Sequence, residues 1–161
     1  MTATAHALVG AVIAAKVGNP FLAYPASLGS HFLMDLIPHW DTGTHRKQKT
    51  HLRFWLESLF DLGLGILLVQ FLFGTHVNPL HLWIAVFFSQ VPDWFSVPYL
   101  FFKTRIPPFF QVYEFQSWFD KKTEFALGIS TQLVVVGPLL YFASPTPVQQ
   151  IITSALAFLA Y

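Results

Sequence analysis

Two long stretches of this chain carry no charged residue. Residues 62–92, between Asp61 and Asp93, hold none, and neither do residues 125–161 after Glu124. Residues 1–34 hold only Lys16. Crossing a bilayer takes about 20 consecutive apolar residues in a helix, and these blocks are long enough to supply several such helices. The composition agrees. Of 161 residues 54% are hydrophobic and 11% are charged, against about 25% charged in a soluble chain. A domain this small cannot bury all of its 18 Phe and 5 Trp, because small folds leave much of their surface outside. The expectation is an integral membrane protein rather than a soluble globule or a disordered segment. With a net charge of +1 there is no broad field to recruit DNA, so direct nucleic-acid binding is not expected.

Cysteine is absent, so disulfides and thiolate metal sites are excluded, and any metal must take His or carboxylate ligands. Met1–Thr4 has no basic n-region, so the apolar stretch that follows reads as a retained first helix rather than a cleaved signal peptide.

Breakers divide the blocks into helices. Gly18-Asn19-Pro20 separates a short helix at about 4–17 from a second at about 20–37, which stops at Pro38. A third covers about 54–73 and ends at Gly74; Asn78-Pro79 opens a fourth, about 79–102, and Pro107-Pro108 follows its exit. Residues 109–124 mix Phe, Tyr and Trp with charges, as an interfacial amphipathic helix does. A fifth span covers about 125–143, and Ser144-Pro145-Thr146-Pro147 leads into a last apolar piece, 148–161. The predicted fold is all-α, one integral membrane domain over 1–161 with about five to six hydrophobic helices. The third, fourth and fifth segments are long enough to cross; the first and last are short. Eight of the nine basic residues fall in loops 38–53 and 103–124, which the positive-inside rule assigns to the cytoplasm. The expected location is the cytoplasmic (inner) membrane of a prokaryote, with membrane lipids as neighbours.

Ionisable groups inside membrane helices are costly and mark function by default. His6, His31, Asp35, Glu57, Asp61 and Asp93 all fall near the cytoplasmic ends of their helices. His31 and Asp35 are at i and i+4, on one helix face, and Glu57 and Asp61 repeat that spacing. His39 and Asp41 follow Pro38 where the second helix opens into its loop. A His-and-carboxylate shell without thiols suits zinc, manganese or iron, as one ion or two. The expected ligands are His6, His31, Asp35, His39, Asp61 and Asp93, within residues 5–95. Asp41 is a ligand or catalytic partner, and Glu57 a general base or a residue orienting a histidine. One turn into its helix, Glu57 can equally serve the N-terminal dipole. A lone His-x-x-x-Asp pair is more often a helix salt bridge; in an apolar span beside four further polar groups the metal reading is the stronger. His76 and His81 fall at the opposite membrane face and are read as interfacial. Gly10, Gly29, Gly63 and Gly65 are read as permitting close helix packing.

A faint repeat sets Ile37-Pro38-His39-Trp40 against Val91-Pro92-Asp93-Trp94 at an offset of 54, and His6 and Gly10 against Asp61 and Gly65 at an offset of 55. It makes Asp93 a counterpart of His39.

The run Ser30-His31-Phe32-Leu33-Met34-Asp35-Leu36-Ile37-Pro38-His39-Trp40-Asp41 resembles the signature of small membrane-bound metal-dependent hydrolases. That family is also described as LexA-binding, inner-membrane-associated hydrolases. His6, Asp61, Pro92-Asp93 and the Gly-x-x-x-Gln pattern from Gly128 to Gln132 match as well, so the resemblance covers about residues 5–135. It implies a helical membrane protein with a metal site, hydrolase activity on an unknown substrate, and a regulatory protein partner. The His-x-x-x-Asp arrangement is also distantly similar to zinc-dependent phospholipase C. In one respect the chain departs: family members often carry histidines before the late helix, where this chain has Gln116, Trp118 and Asp120.

The expected function is a metal-dependent hydrolase acting on a phosphoester or lipid-linked substrate at the cytoplasmic membrane face. The alternative is a membrane scaffold or regulator whose metal or polar cluster merely ties helices together. Ion transport ranks last, because residues 62–80 and 125–161 offer few polar groups.

Overall fold

The computed structural model describes residues 1–143 and 146–159, and over them the protein is all-helical. The α-helices are α1 Ala3–Lys16, α2 Pro20–Asp35, α3 His51–Phe73, α4 Pro79–Phe102, α5 Phe109–Ser117, α6 Phe125–Ala143 and α7 Thr146–Leu159. A short 3-10 turn, Arg46–Gln48, interrupts the α2–α3 loop. Ser144 and Pro145, expected to lead into the last helix, lie outside the described residues, as do positions 160 and 161.

Local chemistry sets most helix starts. Asn19 caps α2 through its side chain, with Pro20 in the first turn, and Asn78-Pro79 does the same for α4. Proline there gives up an amide that has no helical partner anyway. Thr50 caps α3 through the Arg53 amide, so that helix begins three residues before the expected 54. α2 stops at Asp35, ahead of Pro38. α4 instead runs through Pro92 and Pro98 to Phe102, so the two halves of the sequence repeat differ: Pro38 follows a helix end and Pro92 sits within a helix.

Among the described residues two helices, α3 and α6, are long and apolar enough to cross a membrane. This is fewer than the five to six expected, for two physical reasons. α1, α2 and α7 have 14, 16 and 14 residues, which at 1.5 Å per residue is about 21–24 Å, short of a core about 30 Å thick. α4 is long enough at 24 residues, but Ser89, Gln90, Asp93 and Ser96 dilute its apolar character.

α1 is the axis of the bundle. It packs against α2, α3, α4 and α6 and is buried nearly all round, from Ala5 to Val12 and at Ala14. Small residues allow this. A Cβ on Gly10 would stand 2.7 Å from Ser89 Oγ, and one on Gly65 would stand 3.0 Å from Thr4 Cα. Gly29 and Gly63 have nothing within 4 Å, so they play no such part. Beside its hydrophobic core the fold buries polar groups and leaves large apolar ones outside. His6, His31, Asp35, His39, Ser27, Ser89 and Ser96 are fully buried, while Phe60, Leu67 and Phe71 of α3 and Leu133, Val134 and Phe142 of α6 are exposed.

Candidate metal centre

Four elements converge at the N-terminal end of α1. That end is anchored by two side chains from other helices. Asp61 of α3 accepts the Ala3 amide at 2.7 Å and the Thr4 amide at 3.1 Å. Gln132 of α6 accepts from the Thr2 amide at 3.0 Å and from Thr2 Oγ1 at 2.9 Å, and donates to the Trp40 carbonyl at 2.8 Å. The first turn of α1 is thereby fixed, and with it His6.

His6 and His31 stack with ring centroids 4.0 Å apart. Asp35 reaches between them: Oδ1 lies 3.2 Å from His6 Nε2, and Oδ2 lies 3.4 Å from His31 Nε2. The Met1 amine also pairs with Asp35. Asp93 Oδ1 is 3.8 Å from His31 Nε2. On the other side of Asp35, His39 Nε2 lies 3.7 Å from Oδ1 and 3.2 Å from Asp120 Oδ1. Ligand atoms of His6, His31 and Asp93 lie within 4.8 Å of one another, and so do those of His39, Asp41 and Asp120.

The ring orientations tell which nitrogens are available. His31 Nδ1 is 2.8 Å from the Ser89 carbonyl, and His39 Nδ1 is 2.9 Å from the Ile37 carbonyl. A carbonyl only accepts, so both rings donate from Nδ1 and the neutral form leaves its lone pair on Nε2, which in His31 meets the Gln116 amide and in His39 has no partner. This is the arrangement that fixes metal-binding histidines. Neither nitrogen of His6 has a hydrogen-bond partner, and neither do His39 Nε2 and Asp120 Oδ1, all of them buried. Buried polar atoms are nearly always paired, so several orphans in one cluster are exceptional. Donors held about 2.0–2.1 Å from one tetrahedral ion stand about 3.3–3.4 Å apart. The 3.2–3.8 Å spacings here match that better than direct hydrogen bonds. By donor chemistry, spacing and unmet pairing, these residues fit a divalent transition-metal ion.

The sequence-predicted residues divide. His6, His31, Asp35, His39 and Asp93 come together. Asp41 stands at the edge, with Oδ1 accepting from Thr44 Oγ1 at 2.9 Å and Oδ2 paired to Lys122 at 3.0 Å. Two expected residues stand apart from the cluster. Asp61 spends both oxygens on the α1 amides, the positive end of that helix, and so anchors α1. Glu57, expected as general base, has its oxygens held by Lys49 at 2.6 Å and Arg53 at 2.7 Å, and no partner of its carboxylate belongs to the cluster. His51 turns to Arg46, and His81 to Tyr24 and the Val17 carbonyl at the far end of α1.

Three residues of the centre were not among the expected ligands. Gln116 of α5 donates to Asp93 Oδ1 at 2.6 Å and to His31 Nε2 at 3.1 Å, while its Oε1 accepts from Ser96 at 2.7 Å. Asp120 and Lys122 arrive on a strap that pairs with the chain after α2: the His39 amide donates to Lys121 O, Thr123 to His39 O and Lys121 to Asp35 O. Desolvation pushes the Lys122 ammonium pKa down, but Asp41 and Asp120 outweigh it and hold it above the ordinary lysine value. The one signal pointing here was positional, since Gln116 and Asp120 stand where the resembled family carries histidines.

Comparison of the chain with protein-family models, curated proteins and solved structures finds no significant match.

Proposed function

We propose that this chain is an integral membrane, metal-dependent hydrolase working on a phosphoester or lipid-linked substrate at the cytoplasmic face of a prokaryotic inner membrane. The observation that carries the reading is the cluster of buried, partnerless ring nitrogens around Asp35. Membrane insertion is supported by the apolar exterior of α3 and α6, and the cytoplasmic assignment by the basic loops on the cluster side. The Ser30–Asp41 run, with its family resemblance, supports hydrolysis.

In this reading His6, His31, Asp35 and Asp93 hold a divalent ion, with zinc, manganese and iron all compatible with the donor set. Such an ion acts as a Lewis acid and brings the pKa of a water it holds down to about 7. The chain's own residues prepare the site. The Ser89 carbonyl sets the tautomer of His31, and Gln116 orients the Asp93 carboxylate while tying α5 to α4. Access favours a catalytic over a purely structural site: the histidines are sealed, but the Asp93 and Asp120 side chains are 40% and 25% exposed. Structural sites are closed and catalytic ones keep an open position.

The test is elemental analysis of detergent-purified protein, paired with a phosphoester and lipid hydrolysis screen, on wild type and Asp35→Ala. Stoichiometric transition metal and a hydrolysed substrate in wild type, both lost in the variant, are expected. Wild type free of transition metal would overturn the reading.

A further inference from the structure

We propose that the protein holds a second divalent cation beside the first, bound by His39 Nε2, Asp120 Oδ1 and Asp35 Oδ1, with Asp35 as the bridging carboxylate. The inference rests on reading the His6–His31–Asp93 group as an ion site and adds a separate one to it.

One contact beside Asp35 is unfavourable as it stands. His39 Nε2 and Asp120 Oδ1 are 3.2 Å apart, both buried, and neither has a hydrogen-bond partner. His39 is fully buried, and its Nδ1 proton is committed to the Ile37 carbonyl. In the neutral ring two lone pairs therefore face each other in a desolvated place, with Asp35 Oδ1, which also pairs with the Met1 amine, a third acceptor 3.7 Å away. Unpaired buried acceptors carry the full cost of their desolvation. A cation among the three atoms satisfies His39 Nε2 and Asp120 Oδ1, the two without partners, and takes Asp35 Oδ1 as its third donor in place of the Met1 amine.

Asp120 is brought to this point by backbone, not by a wandering side chain. The strap's three backbone hydrogen bonds, at 2.8–3.0 Å, register it against Asp35 and His39. Its carboxylate is then divided. Oδ2 is 3.2 Å from the Lys122 ammonium, which Asp41 holds from the other side at 3.0 Å. Oδ1 is left pointing inward. Asp41, with both oxygens engaged, is an outer partner that fixes Lys122 and through it the orientation of Asp120. Asp35 has one oxygen toward His31 and the other toward His6 and His39, the disposition a bridging carboxylate needs. Imidazole and carboxylate donors without thiolate select a borderline divalent transition metal such as Mn²⁺ or Zn²⁺.

Manganese gives a readout independent of turnover. Ions in two-metal sites sit about 3.5–4 Å apart, close enough for two Mn²⁺ spins to couple. The full chain, purified in detergent and stripped with chelator, is titrated with MnCl₂ and followed by electron paramagnetic resonance. Wild type is expected to take up two equivalents and to develop a spin-coupled spectrum. Asp120→Asn and His39→Gln are expected to take up one, with the uncoupled six-line signal, while keeping wild-type helicity by circular dichroism. The wild-type titration needs no variant to fold. One uncoupled equivalent in wild type, unchanged by Asp120→Asn, would sink the second site and leave the first standing. Two equivalents retained in Asp120→Asn would overturn the ligand assignment, and no manganese or zinc bound at all would overturn both sites.

Discussion

Histidines meet α1 at both of its ends, in opposite states. At the N-terminal end His6 and His39 keep ring nitrogens with no hydrogen-bond partner, next to Asp35 and Asp120. At the C-terminal end both nitrogens of His81 are taken, by the Tyr24 hydroxyl at 3.3 Å and the Val17 carbonyl at 3.0 Å. The cleft there, lined by Tyr24, His76, Asn78 and His81 among others, has no carboxylate in its lining. Both ends have apolar helices around them and similar residue types. What separates them is whether the imidazole lone pairs are spent. The His81 end closes the α1–α2 turn onto α4 with ordinary hydrogen bonds; the His6 end leaves coordinating atoms unmet.

The largest effect should therefore divide two alanine substitutions. His31→Ala removes the nitrogen that faces both Asp35 and Asp93 and should empty the site it shares with His6 and Asp93, leaving at most the ion at His39 and Asp120. Any hydrolysis should fall by more than about 100-fold, the upper range for losing even an outer-shell partner of a metal site. His81→Ala should leave metal content at the wild-type level. Elemental analysis of both proteins checks the pair, and equal metal loss in the two would erase the distinction between the ends.

A second pair sharpens the comparison through the backbone. α6 crosses the loop after α2 at Gly128, where a methyl group would overlap the Trp40 amide and stand 2.7 Å from the His39 carbonyl carbon. Backbone cannot yield as a side chain does, so Gly128→Ala should cost about 3 kcal/mol, the upper part of the overpacking range. Gly63, also helical, has nothing within 4 Å, and Gly63→Ala should be neutral or gain up to about 1 kcal/mol from helix propensity. Unfolding in detergent measures both. A small cost at Gly128 would mean that the His39 loop is not clamped by α6.

These contrasts also separate what is legible in the sequence from what only the fold decides. Helix starts were legible where one or two residues decide them, as at Asn19-Pro20 and Asn78-Pro79. The shared face of His31 and Asp35 followed from helical geometry alone. The apolar blocks between breakers suggest more spans than the described helices supply, because α1, α2 and α7 are short of a bilayer's thickness and polar residues interrupt α4. Asp120 was out of reach for a different reason. It is placed by the pairing of 121–123 with 35–39, a long-range contact between segments with no periodic pattern. Asp61 looked like an intramembrane ligand because its residue type and depth were visible, while the helix N-terminus opposite it was not.

The smallest effects test that last distinction. Asp61→Ala removes two charge-assisted acceptors from the first turn of α1. By analogy with the loss of a helix cap it should cost about 1–2 kcal/mol, with metal retained once the protein is folded. A ligand at Asp61 would instead show as metal loss without matching loss of stability. Glu57→Gln breaks the pairs with Lys49 and Arg53, the latter at 66% side-chain exposure. An exposed pair such as Arg53–Glu57 contributes at most about 1 kcal/mol, whereas the Lys49 side chain is only 8% exposed, so most of the modest fall in thermal stability should come from the Lys49 pair, and metal content should not change. If Glu57 were the general base, Glu57→Gln would abolish turnover while leaving stability almost untouched. The geometry predicts the reverse: a small loss of stability, diminishing further as salt screens the wild-type pair, with turnover preserved.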